Sequence, residues 1–376
     1  MRLLKFQRTI LFQKLLEVQI NPQPKMTTDK AVAGMLMLDE MLEQPKVLAD
    51  SIKLWDQDIK AICAVLPEKI QGVVFVGRGS SDNAATIGRY AVEAFAGIPA
   101  SLAAPSLSTR YTPHASYENY VIVAMSQSGG TPEVVAVASA LKGRGSKIIA
   151  ITNSSDSLLS RIADLHLDLE AGPEEAVPAT KTVTAQVLAV LKIASALAKT
   201  KGMNSPISQV ELMRLPDAVK EVLGDFESAE KIIAQCLSAN RLQLITRGLV
   251  YGAVLEVAIK IKETSGVFAH GISSADFVHG PIAAVDQELP VIIFDAGGAN
   301  SDELSDLNVR LREMGITTYT SSLDPNSSIP LPKGLSEILN SIPIIIRGQQ
   351  LSYLWARALG KNPDSPEGLS KMTLTY

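Results

Sequence analysis

Glu256, Lys260 and Glu263 stand at i, i+4 and i+7, so a helix through them presents two carboxylates and an ammonium on one face. Alone, such a stripe also fits a solvated helix face with an ordinary ion pair. Val257, Ala258, Ile259 and Ile261 surround it with apolar residues, while Lys262 points elsewhere. Burial would raise a carboxyl pKa towards neutrality, which makes Glu263 a candidate proton shuttle. Further on, His279-Gly280-Pro281 sets an imidazole in a constrained turn, expected as a loop over 276–281 and suited to acid–base work near neutral pH.

Two Ser-rich loops offer the complementary chemistry. Ser126-Gln127-Ser128-Gly129-Gly130-Thr131-Pro132 follows an apolar run, with Thr131 suited to an N-cap and Pro132 to the first helical position. Unpaired backbone N–H groups at that helix start, with hydroxyls and an amide beside them, make a cradle for a phosphate dianion. A capped turn whose serines only satisfy the backbone is the plainer alternative. The other loop, Gly77-Arg78-Gly79-Ser80-Ser81-Asp82, resembles the start of a dinucleotide fingerprint. Asp82 replaces the third glycine, and no acidic residue near the end of the next expected strand, around 100–104, stands ready for a ribose, so NAD binding is not supported.

Positioning these loops requires strands that end where the loops begin. Short β-branched runs alternate with longer helical stretches, which predicts parallel sheets. Strands are expected at 71–76, 120–125, 147–152, 242–246, 289–295 and 316–320, and helices at 83–96, 132–143, 180–199, 251–265 and 302–314. Setting Arg78-Gly79 on Arg247-Gly248 gives an offset of 169, and the strands at Val121 and Val291 give 170, so one α/β unit occurs twice. The expected organisation is an extension over 1–25, a helical arm over 26–70, a first α/β domain over 71–205, a helical connector over 206–240, a second domain over 241–358 and a tail over 359–376. Leu249 and Val250, where the first unit has serines, argue against a second phosphate pocket.

Composition narrows the function classes. Of the 376 residues 46% are hydrophobic and 20% charged, with a net charge of -4, a globular balance without the basic face that sequence-independent nucleic-acid binding needs. No uninterrupted apolar run approaches the roughly 20 residues of a membrane helix. Cys63 and Cys236 form no CxxC pair, which fits a reducing cytoplasm, and His114, His166, His270 and His279 have no zinc-like spacing, although His270 and His279 could approach in a loop. The first 25 residues lack a secretory core and cleavage site, and Met26 is the expected start.

The motifs together resemble the sugar isomerase (SIS) family, in particular the isomerase half of glucosamine-6-phosphate synthase and the SIS-type glucosamine-6-phosphate deaminases. The carrying segments are VGRGSSDNA at Val76, SQSGGTPE at Ser126, EEAVPATKTVTAQ at Glu174, LEVAIKIKE at Leu255, DFVHGP at Asp276 and KNPDSPEGLSKMTLT at Lys361. The resemblance implies two tandem SIS domains, each a parallel sheet flanked by helices in a flavodoxin-like three-layer αβα arrangement. It implies that Gly79, Ser81, Ser126, Gln127, Ser128 and Thr131 hold a sugar phosphate, and that Val177 and Thr180 lie along the sugar. Glu263 would move a proton between C1 and C2 with help from Lys260, His279 would open the ring from the partner subunit of a homodimer, and Lys371 would close the site. No metal or cofactor is implied, and the partner is a phosphorylated amino sugar.

Gly130, Ala179 and Glu367 depart from the synthase pattern, at glutamate, serine and basic positions respectively. With no glutaminase region upstream, the expected reaction is deamination of glucosamine 6-phosphate to fructose 6-phosphate and ammonia. A related isomerase, an aminotransferase or a fructosamine-6-phosphate deglycase is the alternative within enzymes. A non-catalytic phosphosugar sensor is the alternative outside them, although residues 26–70 offer acidic helices rather than a basic recognition helix.

Overall fold

The computed structural model describes residues 33–111, 115–205 and 207–371; the expectations for residues 1–25, Met26 and His114 lie outside the described residues. Two helices, α1 (Met35–Lys53) and α2 (Trp55–Val65), lead into the first sheet. That sheet comprises β1 (Gly72–Val76), β2 (Ala100–Leu102), β3 (Tyr120–Met125), β4 (Lys147–Thr152) and β5 (Leu165–Asp168), linked by α3 (Ser80–Ala96), α4 (Pro105–Arg110), α5 (Pro132–Lys142) and α6 (Leu158–Ile162). All pairings are parallel, in the order β2-β1-β3-β4-β5. Helices on both faces bury β1 and β3 almost completely, which is why their sequences read as continuous Val/Ile runs rather than alternating ones.

Three helices follow: α7 (Lys181–Thr200), α8 (Gln209–Gly224) and α9 (Glu227–Cys236). The second sheet contains β6 (Arg241–Thr246), β7 (Phe268–Ser273), β8 (Val291–Phe294) and β9 (Thr318–Ser321), with α10 (Tyr251–Ser265), α11 (Ser274–Val278), α12 (Ser301–Glu313) and the closing helix α13 (Ser341–Ala358). Its order, β7-β6-β8-β9, repeats the first four strands of the first sheet, and all its pairs are parallel. The flavodoxin-like α/β arrangement expected for each unit is the observed one.

Differences from expectation have local causes. Strands β5 and β7 were not expected: β5 has only four residues, and β7 is an edge strand carrying exposed Phe268 and His270, whereas β2, three residues long, lies where a strand end is expected around 100–104. The expected loop over 276–281 begins inside α11, with His279 at its C-cap. His270 lies on β7 against Gln243, Nδ1 to Oε1 3.2 Å, so the two histidines share no loop. Helix α3 starts at Ser80 rather than 83, because Gly79 with φ +56° turns the chain directly out of β1. Helix α7, although interrupted by Lys192, is by length and composition apolar enough to cross a bilayer, but its hydrophobic window is wholly buried. It is the central core helix, packed by α1, α2 and α3.

Helix α10 crosses α3 at Gly252, where an added Cβ would lie 2.5 Å from the Asn83 carbonyl oxygen. Only glycine permits that approach. Its consequence is positional, since it brings the charged stripe of α10, carried on the second unit, against the loop that leaves β1 in the first.

Candidate active site

The carboxyl ends of β1 and β3 adjoin at the point where the strand order reverses, Val76 pairing with Ala124. Loops leaving such neighbours diverge to opposite faces and open a crevice between them. Thr131 is the N-cap of α5 and Pro132 its first residue, as expected, but the Thr131 hydroxyl bonds Ser126 Oγ at 2.9 Å instead of capping the helix. Ser128 Oγ accepts from the Gly130 N–H at 3.2 Å. Ser81 is buried, and its hydroxyl accepts from Gln186 Nε2 of α7 at 3.0 Å. Arg78 is held by Glu133, Nε to Oε2 2.7 Å, which leaves a cationic side chain at the rim.

These loops form one wall of a cavity of about 390 Å3. Helix α10 supplies Ile259, Lys260 and Glu263; residues Glu174, Val177 and Ala179 supply a second side, and Leu369, Ser370 and Lys371 of the tail a third. All the residues predicted for the site line it except Thr180 and His279. Another cavity of about 220 Å3, around Cys63 and Lys201, brings none of them together.

The stripe on α10 is graded in depth. Glu256 and Lys260 are fully buried, whereas the Glu263 side chain remains 25% exposed at the cavity. Burial thus falls on Glu256 rather than on the expected Glu263, and it raises the Glu256 pKa against the opposing pull of Lys260 and Asn83. Asn83 Nδ2 donates to Glu256 Oε2 at 2.8 Å. Lys260 Nζ sits 2.6 Å from Glu263 Oε2 and 3.5 Å from Glu256 Oε1. Burial works against its charge, but the two carboxylates outweigh that and hold its pKa above the ordinary lysine range. An ammonium locked beside a cavity-facing carboxylate can stabilise negative charge developing on a bound oxygen.

Sequence reasoning missed Glu174 as a site residue. Its side chain is wholly buried, accepts from Thr180 N at 2.9 Å and Thr182 N at 3.1 Å at the start of α7, and meets Lys371 Nζ at 2.9 Å. Burial opposes its charge, yet Lys371 and the helix-start donors hold its pKa below the ordinary glutamate range. The available signal was an acidic residue six positions before a Thr-Lys-Thr helix start. Thr180 does not lie along the cavity: it is buried, and its hydroxyl points to Glu174. His279 is exposed and does not line the cavity of its own chain.

The glutamine–fructose-6-phosphate aminotransferase (isomerizing) of Pyrococcus horikoshii is 32% identical over 345 residues, covering 89% of this chain and 57% of that protein. The chain thus spans about three fifths of the length of the curated relatives it matches. In fold it is similar to the C-terminal domain of glucosamine-fructose-6-phosphate aminotransferase from Francisella tularensis, with TM-score 0.74 at 23% identity over 88% of this chain and 98% of that one. It is also similar in fold to glucosamine-6-phosphate deaminase from Thermotoga maritima, with TM-score 0.67 at 24% identity over 89% of this chain and 100% of that one. The SIS domain model matches residues 69–196 and 236–330, the two segments that carry the paired sheets and the loops of the cavity, and the chain belongs to the SIS domain family.

Proposed function

We propose that the chain converts glucosamine 6-phosphate and water to fructose 6-phosphate and ammonia. The observation that carries this reading is that a hydroxyl-lined anion cradle and the Lys260–Glu263 pair face one cavity of sugar-phosphate size. Gly79, Ser81, Ser126, Gln127, Ser128 and Thr131 hold the phosphate, helped by the N-termini of α3 and α5. Val177 lies along the sugar, and Thr180 acts from below by fixing Glu174. With the ring open, Glu263 takes the proton from C2 and returns it to C1, while Lys260 steadies the charge on the neighbouring oxygen. The amino group then sits on a C2 imine. Water adds to that C=N bond and ammonia leaves, so the atoms balance without an oxidant or reductant. Lys371 closes the tail over the sugar. His279, exposed in its own chain, serves as ring-opening acid–base group in the site of a second copy, which makes the working unit a homodimer.

The names of the relatives favour a second reading, in which the same proton shift runs from fructose 6-phosphate with ammonia supplied to it. An assay of ammonia release over hexosamine 6-phosphates and fructosamine 6-phosphate, run beside formation of glucosamine 6-phosphate from fructose 6-phosphate and ammonium, separates the possibilities. Release from glucosamine 6-phosphate alone supports the proposal. Release from fructosamine 6-phosphate, or aldose–ketose interconversion without ammonia, replaces it with the deglycase or isomerase reading, formation of glucosamine 6-phosphate without its net breakdown replaces it with the second reading, and no conversion in either assay overturns them all.

A further inference from the structure

Helix α1 turns three polar residues, Glu40, Glu43 and Gln44, towards the wall of the cavity, at the i, i+3, i+4 spacing of one helix face. Gln44 binds Thr184 of α7 and Gln349 of α13, at 2.9 and 2.8 Å. Glu43 meets Lys181 Nζ at 2.5 Å. Glu40, only 5% exposed, gives one oxygen to two consecutive backbone N–H groups, those of Glu175 and Ala176. Lys371 grips the same stretch from the tail, donating to the Ala176 carbonyl at 2.6 Å and to Glu174 at 2.9 Å. The tail is in turn tied to α1: the Asp364 carboxylate accepts from Gly34 N and Met37 N, both at 2.8 Å, and its carbonyl accepts from Val177 N at 2.8 Å. Arm, loop and tail therefore interlock, and the loop and tail are two of the cavity's walls.

We infer that Glu40 is a positioning residue for the sugar-facing wall: by fixing the Glu175 and Ala176 amides it holds the Ala176 carbonyl and Glu174 where Lys371 can close on them. Glu40 does not line the cavity and touches no reacting atom. Its task needs an oxygen acceptor at that place, and glutamine supplies one where alanine does not. The phosphate cradle, built from other loops, stands apart from this fastening. The inference rests on the phosphosugar reading only where turnover is concerned.

The test compares Glu40→Ala and Glu40→Gln in the full chain by amide hydrogen exchange, by binding of inorganic phosphate and by steady-state kinetics with glucosamine 6-phosphate. Expected for Glu40→Ala is faster exchange confined to 174–177 and 361–371, phosphate affinity within about twofold, and kcat lowered on the order of tenfold, the effect of one lost buried acceptor. Glu40→Gln is expected to restore protection and to bring kcat within about threefold of the parent. Unchanged exchange in both segments for Glu40→Ala, or loss of phosphate affinity in parallel with kcat, overturns the inference. So does a Glu40→Gln chain as impaired as the alanine one. If the parent turns over no phosphosugar, the functional reading fails alone, because exchange and phosphate binding still decide the role of Glu40.

Discussion

The two α/β units share a scaffold and differ in what stands at the same strand ends. In the first, Arg78 pairs with Glu133 at 2.7 Å; in the second, Arg247 pairs with Glu303 at 2.5 Å, at the corresponding positions. The loops between these partners diverge. Ser126 and Ser128 have Ala296 and Gly298 as counterparts, and where Thr131 bonds Ser126, Ser301 turns to Asp295 at 2.7 Å. The second crevice is also filled from within. Glu337 accepts from the Leu249 N–H at 3.3 Å, and a Cβ added at Gly298, whose φ is +125°, would lie 2.3 Å from its Oε2. One unit keeps an open cradle, and the other seats its own carboxylate there and lends its helix α10 to its neighbour. Identical topology does not carry the chemistry; the side chains at the strand ends do.

That comparison breaks first if the lent helix is inert. Glu263→Gln is expected to lower ammonia release by about 10²–10⁴-fold with phosphosugar affinity retained in calorimetry; undiminished release removes α10 from the reaction. Next, Ser126→Ala with Ser128→Ala is expected to weaken phosphosugar binding by roughly 10–100-fold through lost charge-assisted hydrogen bonds, while Ser301→Ala in the second unit leaves binding unchanged. Equal losses from the two units would make both cradles functional.

A stability measurement sharpens the contrast between the walls. Burial, against the opposing pull of the Glu175 and Ala176 N–H groups, pushes the Glu40 carboxyl up to about 7. Between the unfolded glutamate pKa and that value the folded chain binds more protons than the unfolded one, so this contribution is complete below the unfolded pKa and is lost as pH rises through about 7. Glu40→Gln carries no such loss, and denaturant melts are expected to show it gaining on the parent by on the order of 2 kcal/mol from pH 4 to 8. A constant difference across that range contradicts the shift. The smallest effect belongs to Glu337→Gln, which keeps the second crevice filled with an isosteric amide and is expected to leave kcat/KM within about twofold, a ratio read from the same ammonia assay.

Much of this architecture was legible because buried parallel strands must be apolar on both faces. The Val/Ile runs of β1, β3 and β4 and the 169-to-170 offset therefore stand out in the linear chain. The Ser-rich loop before Pro132 was legible for a related reason, since proline at the first helical position is a local signal. Short or exposed strands such as β5 and β7 send no comparable signal. The residues that fasten the site were hidden for a different reason. Glu40 reads as one charge in an acidic helix, Glu174 as half of a Glu-Glu pair, and Glu337 as an ordinary loop acid.

By itself, then, the order of residues determined the strand–helix alternation, the duplication and the two loops whose hydroxyls and glycines suit an anion, because each depends on neighbours a few positions away. Only the tertiary structure decided which carboxylates are buried, which pair with Lys260 or Lys371, and which face the cavity. A carboxylate's charge state and partners depend on the low-dielectric surroundings that distant segments bring to it. Glu40 and Glu175 are 135 positions apart, and Glu174 and Lys371 197, so no local pattern could have joined them.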